Sequence, residues 1–202
     1  RMLVAGNYVS STGGAGDARQ FSIFVDVPIV RNLADGPEEI VKAVRTNFKN
    51  GADFIKILVT GAVTSKGIGP EQQQYSDAEI QAAVDEAKRW GRRVAAHAHG
   101  TGGIKAALRA GVWTIDHGSL LDAEAIELLK GGKAYYVPTM YVTQTVVSNP
   151  IVPEAEKERA RRIDAMAIES FKQALRAGLR IGLATDAPVM PHGEFARELS
   201  FR

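Results

Sequence analysis

Hydrophobic positions along this chain follow two alternating periods. Short apolar runs rich in β-branched residues, such as residues 53–59 (DFIKILV), 113–117 (WTIDH) and 180–185 (RIGLAT), are separated by longer stretches with apolar residues three and four apart. The short runs predict strands at 2–9, 53–59, 93–97, 113–117, 134–138 and 180–185. The longer ones predict helices. Pro37 opens one that carries Ile40, Val41, Val44 and Phe48 and stops at Gly51. Ser76-Asp77-Ala78-Glu79 is a capping box for a helix with Ile80, Ala83, Val84 and Ala87 on one face. Further helices are expected at about 103–110, at 122–130 before Gly131-Gly132, and at 154–177 between Pro153 and Gly178. Residues 10–17 (SSTGGAGD) read as a turn, and 21–27 as an apolar run that Pro28 leaves without a clear type.

Strand and helix thus alternate about six times, the pattern of an α/β fold with a parallel sheet. An open doubly wound sheet and a (β/α)8 barrel both fit. No Gly-x-Gly-x-x-Gly follows the first strand, and Lys56, His97, His117 and Asp186 each fall in or at the end of a different strand. Both points favour the barrel, whose catalytic residues converge at the C-terminal ends of its strands. Eight units make a barrel, so residues 1–202 are expected to be part of one, with the first two strands and the last helix missing.

Composition narrows the functions. The chain has 202 residues, 45% hydrophobic and 24% charged, with a formal net charge of +2. Charges of both signs are interspersed along it, so neither nucleic acid nor a membrane is expected as partner. No signal peptide is visible and no apolar run approaches a membrane span. There is no cysteine, which removes thiolate nucleophiles, disulfides and Cys-based metal sites and leaves the compartment undecided, with the cytoplasm favoured.

The chemistry centres on Lys56, a lysine in the middle of an apolar strand. It reads as a partner for a carboxylate, as a Schiff-base nucleophile, or as a lysine carboxylated by carbon dioxide into a carbamate that bridges two metal ions. His97 and His117 end the next two strands, where imidazoles suit zinc or a similar ion. Asp186 closes the last strand as a metal ligand and proton acceptor, or as the N-cap of a following helix. His99 stands two residues from His97 on the same side and could touch substrate or support the site. His192 is a substrate-binding candidate or an exposed loop residue. Tyr135 and Tyr136 point to opposite faces, and the loop 60–75 could be a lid. It contains no Gly-Lys-Ser/Thr and is no P-loop.

Phe54-Ile55-Lys56-Ile57, His97-Ala98-His99-Gly100, Asp116-His117-Gly118 and Thr185-Asp186-Ala187 together resemble the amidohydrolase superfamily, most closely its imidazolonepropionase-like and Xaa-Pro dipeptidase branch. Segments like 12–17 (TGGAGD) and 191–194 (PHGE) recur there too. The resemblance implies two divalent metal ions, zinc by preference, with Lys56 as the carboxylated bridging ligand and His97 and His117 on the second metal. Asp186 would bind the first metal and act as general base and acid. The implied reaction is metal-dependent hydrolysis of an amide or peptide bond in a small molecule, of the dipeptide or N-acyl amino acid type, by an enzyme that often forms homo-oligomers. His192, Arg197 or His99 would meet a substrate carboxylate. The family's His-x-His pair of the first strand has no counterpart in these residues. Two competing readings stay open: a Schiff-base lyase using Lys56, and a non-catalytic barrel fragment.

Overall fold

The structure is a computed structural model and describes residues 2–17 and 32–200. Its strands are β1 (Val9–Ser10), β2 (Asn32–Leu33), β3 (Ile55–Leu58), β4 (Val94–Ala98), β5 (Thr114–His117) and β6 (Tyr135–Val137). Its helices are α1 (Gly36–Lys49), α2 (Asp77–Arg89), α3 (Thr101–Ala110), α4 (Ala123–Gly131), α5 (Tyr141–Ser148), α6 (Glu154–Arg176) and α7 (Phe195–Ser200). All strand pairs are parallel, in the order β2-β1-β3-β4-β5-β6. From β3 to β6 each strand lies beside its sequence neighbour and is joined to it through a helix. From β1 through β6 the winding runs in one direction, as in a barrel wall, with the two-residue β2 added on the outer side of β1. Arg180 and Gly182 continue the wall beyond β6. The Tyr136 N–H donates to the Arg180 carbonyl at 2.9 Å, and the Gly182 N–H to the Tyr136 carbonyl at 2.8 Å.

Alternation on the strands separates the two faces of this wall. Ile55 pairs in register with Val94, and Ile57 with Ala96. These residues and Ile115 are buried with Ile40, Val44, Ile80, Ala83 and Ile104 of the helices in one hydrophobic core. Lys56 therefore faces the inside of the wall, not the helices. Its side chain is 23% exposed, and burial alternates along β3.

Helix limits follow local chemistry closely. The capping box of α2 is present, the Ser76 N–H donating to the Glu79 carboxylate at 2.7 Å. Pro37 lies in the first turn of α1, and Gly111, at φ 93°, ends α3 in the left-handed region.

Three expectations fail where long-range partners decide. Residues 2–8 form no strand, because only Val9 and Ser10 find register with neighbours. The run 180–185 contributes a single bridge, Tyr136 to Ile181. Helix α5 has no counterpart in the sequence reading, since its residues (YVTQTVVS) are rich in β-branched side chains. Its N-terminus is capped from afar: buried Glu198 of α7 accepts from the Met140 N–H at 2.9 Å and the Tyr141 N–H at 2.8 Å. The run 21–27 lies outside the described residues.

Candidate active site

Strand register brings the chemistry together. Across the inside of the wall Lys56 stands level with Ala95, Leu58 with His97, and His97 with Asp116. Lys56 forms an ion pair with Asp116. His99 follows directly after β4, and its backbone N–H donates to Thr60 Oγ1 at 3.0 Å. Alternation along β5 would aim His117 away from Asp116, towards the helices. Its backbone is instead left-handed, at φ 71°, which breaks the alternation and turns the ring inward. Asp186 is the other non-glycine residue with positive φ among the described residues, at 59°. Left-handed residues of this kind concentrate at functional sites.

The result is a tight group of three buried imidazoles. Ring centroids lie 4.8 Å apart for His97 and His99, 4.5 Å for His97 and His117, and 4.7 Å for His99 and His117. One nitrogen from each lies within 4.8 Å of the others. One ring nitrogen of each is engaged by a neighbour. His97 Nε2 meets the Gly61 carbonyl at 3.1 Å, His99 Nδ1 meets Ser119 Oγ at 2.8 Å, and His117 Nδ1 meets Thr139 Oγ1 at 2.6 Å.

Electrostatics keep all three neutral. Burial is the main cause that lowers each imidazole pKa well below the ordinary value, and neighbouring imidazoles and the Lys56 charge lower it further. A protonated imidazole cannot ligate a metal, so clustered neutral imidazoles with their outer nitrogens held suit a divalent ion of the zinc type. Asp186 behaves in the opposite sense. Its residue surface is exposed, but the carboxyl borders the same cavity, and desolvation there pushes its pKa up to about 6. The Lys56 charge opposes that push and the Asp116 charge adds to it.

These groups open onto a cavity of about 130 Å³. His97, His99, His117 and Asp186 line one side, and apolar side chains including Val63, Met140, Val142 and Val146 line the other. The loop 60–75 supplies Ala62, Val63 and Thr64. It is held in place: Arg159 of α6 donates to the carbonyls of Val63 at 2.9 Å and Ser65 at 2.7 Å, and Gln74 Nε2 donates to the Leu58 carbonyl at 2.7 Å.

The structure thus gathers His97, His99, His117 and Asp186, with Lys56 close enough for its charge to act on all four. His192 is exposed and not among the cavity walls. Arg197 donates to Tyr141 Oη at 2.9 Å, also away from the cavity. Tyr136 is buried and Tyr135 is exposed. Sequence reasoning missed Asp116, Ser119 and Thr139. Asp116 had a signal, being a second charge in mid-strand, on β5 across β4 from Lys56. Ser119 and Thr139 had none, since their importance is a contact with an imidazole.

A family model described as the amidohydrolase family matches residues 3–201. The chain belongs to the amidohydrolase family. Among curated relatives, an ochratoxinase from Aspergillus niger is 37% identical over 175 residues, which is 84% of this chain and 35% of that protein. A solved structure of a Xaa-Pro dipeptidase with methionine bound in its active site superposes with a TM-score of 0.92 at 35% identity, covering 100% of this chain and 51% of that one. The Aspergillus niger ochratoxinase structure gives a TM-score of 0.85 at 32% identity, covering 98% and 48%. This amidohydrolase chain therefore spans about half the length of these solved relatives, and its wall is part of a TIM-like barrel. No helix among the described residues is long and apolar enough to cross a membrane.

Proposed function

We propose that residues 1–202 form part of the barrel domain of a divalent-metal-dependent hydrolase that cleaves an amide or peptide bond in a small molecule such as a dipeptide or an N-acyl amino acid. The observation that carries this is the group of three neutral, buried imidazoles beside Asp186 at the C-terminal end of the strands. His97, His99, His117 and Asp186 would hold the metal, with zinc the ion their nitrogen-rich set favours. A metal ion there supplies Lewis acidity and a lowered pKa for a water at its open position.

The chain's own residues do the rest. The Asp186 carboxyl, poised near neutrality, accepts a proton from attacking water and returns it to the leaving amine. Ser119, Thr139 and the Gly61 carbonyl orient the imidazoles. Val63, Val142 and Val146 exclude water and receive an apolar group of the substrate. Similarity to an ochratoxinase and a Xaa-Pro dipeptidase supports a substrate with an amide next to a carboxylate-bearing residue. In this reading the Lys56 ammonium would first give up a proton, and the free amine would add to carbon dioxide and shed a second proton to solvent, leaving a carbamate anion in place of the cation that Asp116 pairs with. A carbamate and a Schiff base both require the Lys56 amine to leave Asp116, but only the metal-dependent reading gives the three imidazoles and Asp186 a common role.

A second reading has an observation of its own. The Lys56–Asp116 pair is what a purely structural lysine would show. Metal analysis and a panel of dipeptides and N-acyl amino acids, run on the full-length protein, separate the two. Stoichiometric metal, chelator-sensitive hydrolysis, and Lys56→Ala activity partly restored by a short carboxylic acid support the hydrolase with a bridging carbamate. A metal-free protein without hydrolysis, in which Lys56→Ala alters stability alone, overturns it.

A further inference from the structure

The opposite end of the wall carries a second cavity. It lies where the strands begin, remote from the imidazoles at the strand ends, and has a volume of about 490 Å³. Five cations line it: Lys88, Arg92, Arg93, Lys133 and Arg180. No acidic residue lines it. This concentration is out of keeping with a chain whose 25 cations and 23 anions nearly balance. Elsewhere several cations have close acidic partners: Lys105 with Glu124 at 2.9 Å, Arg161 with Glu154 at 2.7 Å and Arg162 with Glu71 at 2.7 Å. In the cavity the one ion pair among the described residues is Arg92 with Asp53, at 3.7 Å.

Two aromatic rings organise the guanidinium groups. The Arg93 guanidinium carbon stands 4.2 Å from the centroid of the Trp113 ring, and that of Arg180 stands 5.4 Å from the Tyr135 ring. The rings meet edge to face with centroids 6.3 Å apart. A guanidinium seated over a ring can still donate from its N–H edge, although Arg180 directs one of its N–H groups to the Gly132 carbonyl. Helix dipoles explain part of the cluster. Lys88 lies in the last turn of α2, and Arg180 donates to the Gly132 carbonyl at the end of α4. Arg93 and Lys133 lie in no helical turn, and neither has such a partner.

We propose that this cavity is a binding site for a small phosphate-bearing anion. Forked guanidiniums match phosphate oxygens two at a time, and clustered positive charge without acid is the field such a ligand needs. The volume falls in the range of small-molecule sites. The same chemistry is offered by an inorganic polyphosphate and by a nucleoside triphosphate, whose base could add contact with Trp113 or Tyr135.

The test is calorimetric titration of the full-length protein with tripolyphosphate and with ATP, at matched ionic strength. It is repeated on Arg93→Gln combined with Arg180→Gln and, because stacking could matter to folding, on Lys88→Gln combined with Lys133→Gln. Saturable binding that weakens roughly tenfold in either double variant, with zinc binding retained, supports the site. Tighter binding of ATP than of tripolyphosphate assigns part of the affinity to the base, and equal binding assigns it to phosphate alone. The proposal is overturned by no saturable binding to the parent protein, or by binding that neither double variant weakens, which would place the anion elsewhere, the imidazole cluster included.

Discussion

Thr139 offers the sharpest test of how the imidazole cluster works. Its hydroxyl meets His117 Nδ1 at 2.6 Å, and both residues are buried. Ligation of a metal through His117 Nε2 requires Nδ1 to carry the proton and donate it to that hydroxyl. Thr139→Val removes the acceptor and leaves a buried imidazole nitrogen without a partner, at a cost of about 1–3 kcal/mol. For a chain of this size each kcal/mol lowers Tm by about 2–4 °C, so the metal-free variant should melt roughly 2–12 °C lower. It also frees the ring to adopt the wrong tautomer, which should weaken zinc binding by about 10- to 100-fold. Thr139→Ser keeps the hydroxyl and should retain most of the zinc affinity. The assay is competitive zinc titration against a chromophoric chelator, alongside thermal melting of the metal-free forms. Equal zinc affinity for Thr139→Val and the parent protein would refute the orienting role. So would Thr139→Ser binding zinc as weakly as Thr139→Val.

Other expectations concern neighbouring features. Gly118 has φ 56°, and a Cβ there would come within 2.4 Å of the Tyr136 ring, so Gly118→Ala should destabilise by about 2–4 kcal/mol in denaturant titration and disturb the adjacent His117. Arg159→Ala breaks both bonds to the loop 60–75, and should cost about 1.5–3 kcal/mol and quicken limited proteolysis within residues 62–66. Acid should destabilise the metal-free protein. The three imidazoles resist protonation when folded, so below about pH 6.5 the unfolded chain binds more protons and stability falls. Asp186 acts the other way, binding its proton more tightly when folded between its ordinary value and about 6, which offsets part of the loss. Urea midpoints from pH 8 to pH 5 should therefore fall, and His97→Gln should flatten the trend.

Much of the fold was legible because it depends on neighbours in sequence. The capping box at Ser76, Pro37 in the first turn of α1 and the apolar faces of α1 and α2 are all local, and each helix formed where those signals stood. What depends on distant partners was not legible. Helix α5 is capped by Glu198, 58 residues from Met140, and nothing within its own β-branched segment announces a helix. The run 180–185 has the composition of a strand, yet Ile181 alone bridges to Tyr136, because composition describes a side chain's preference and not the presence of a ladder partner.

The site divides along the same line, and His117 shows why. Types and positions of the candidate ligands could be read from strand ends, but alternation along β5 assigns His117 to the face opposite Asp116. His117 nonetheless lines the cavity, because it abandons the extended backbone at φ 71°. The next residue, Gly118, is left-handed as well, and its missing Cβ lets the Tyr136 ring close behind the turn. The inward turn of His117 thus depends on a glycine after it, a tyrosine from β6 beneath it and a threonine hydroxyl at its outer nitrogen. Asp186, itself left-handed at φ 59°, reaches the same cavity from the segment after α6. Spacing identifies such residues as chemically suited; only packing across three staves decides that their reactive atoms meet.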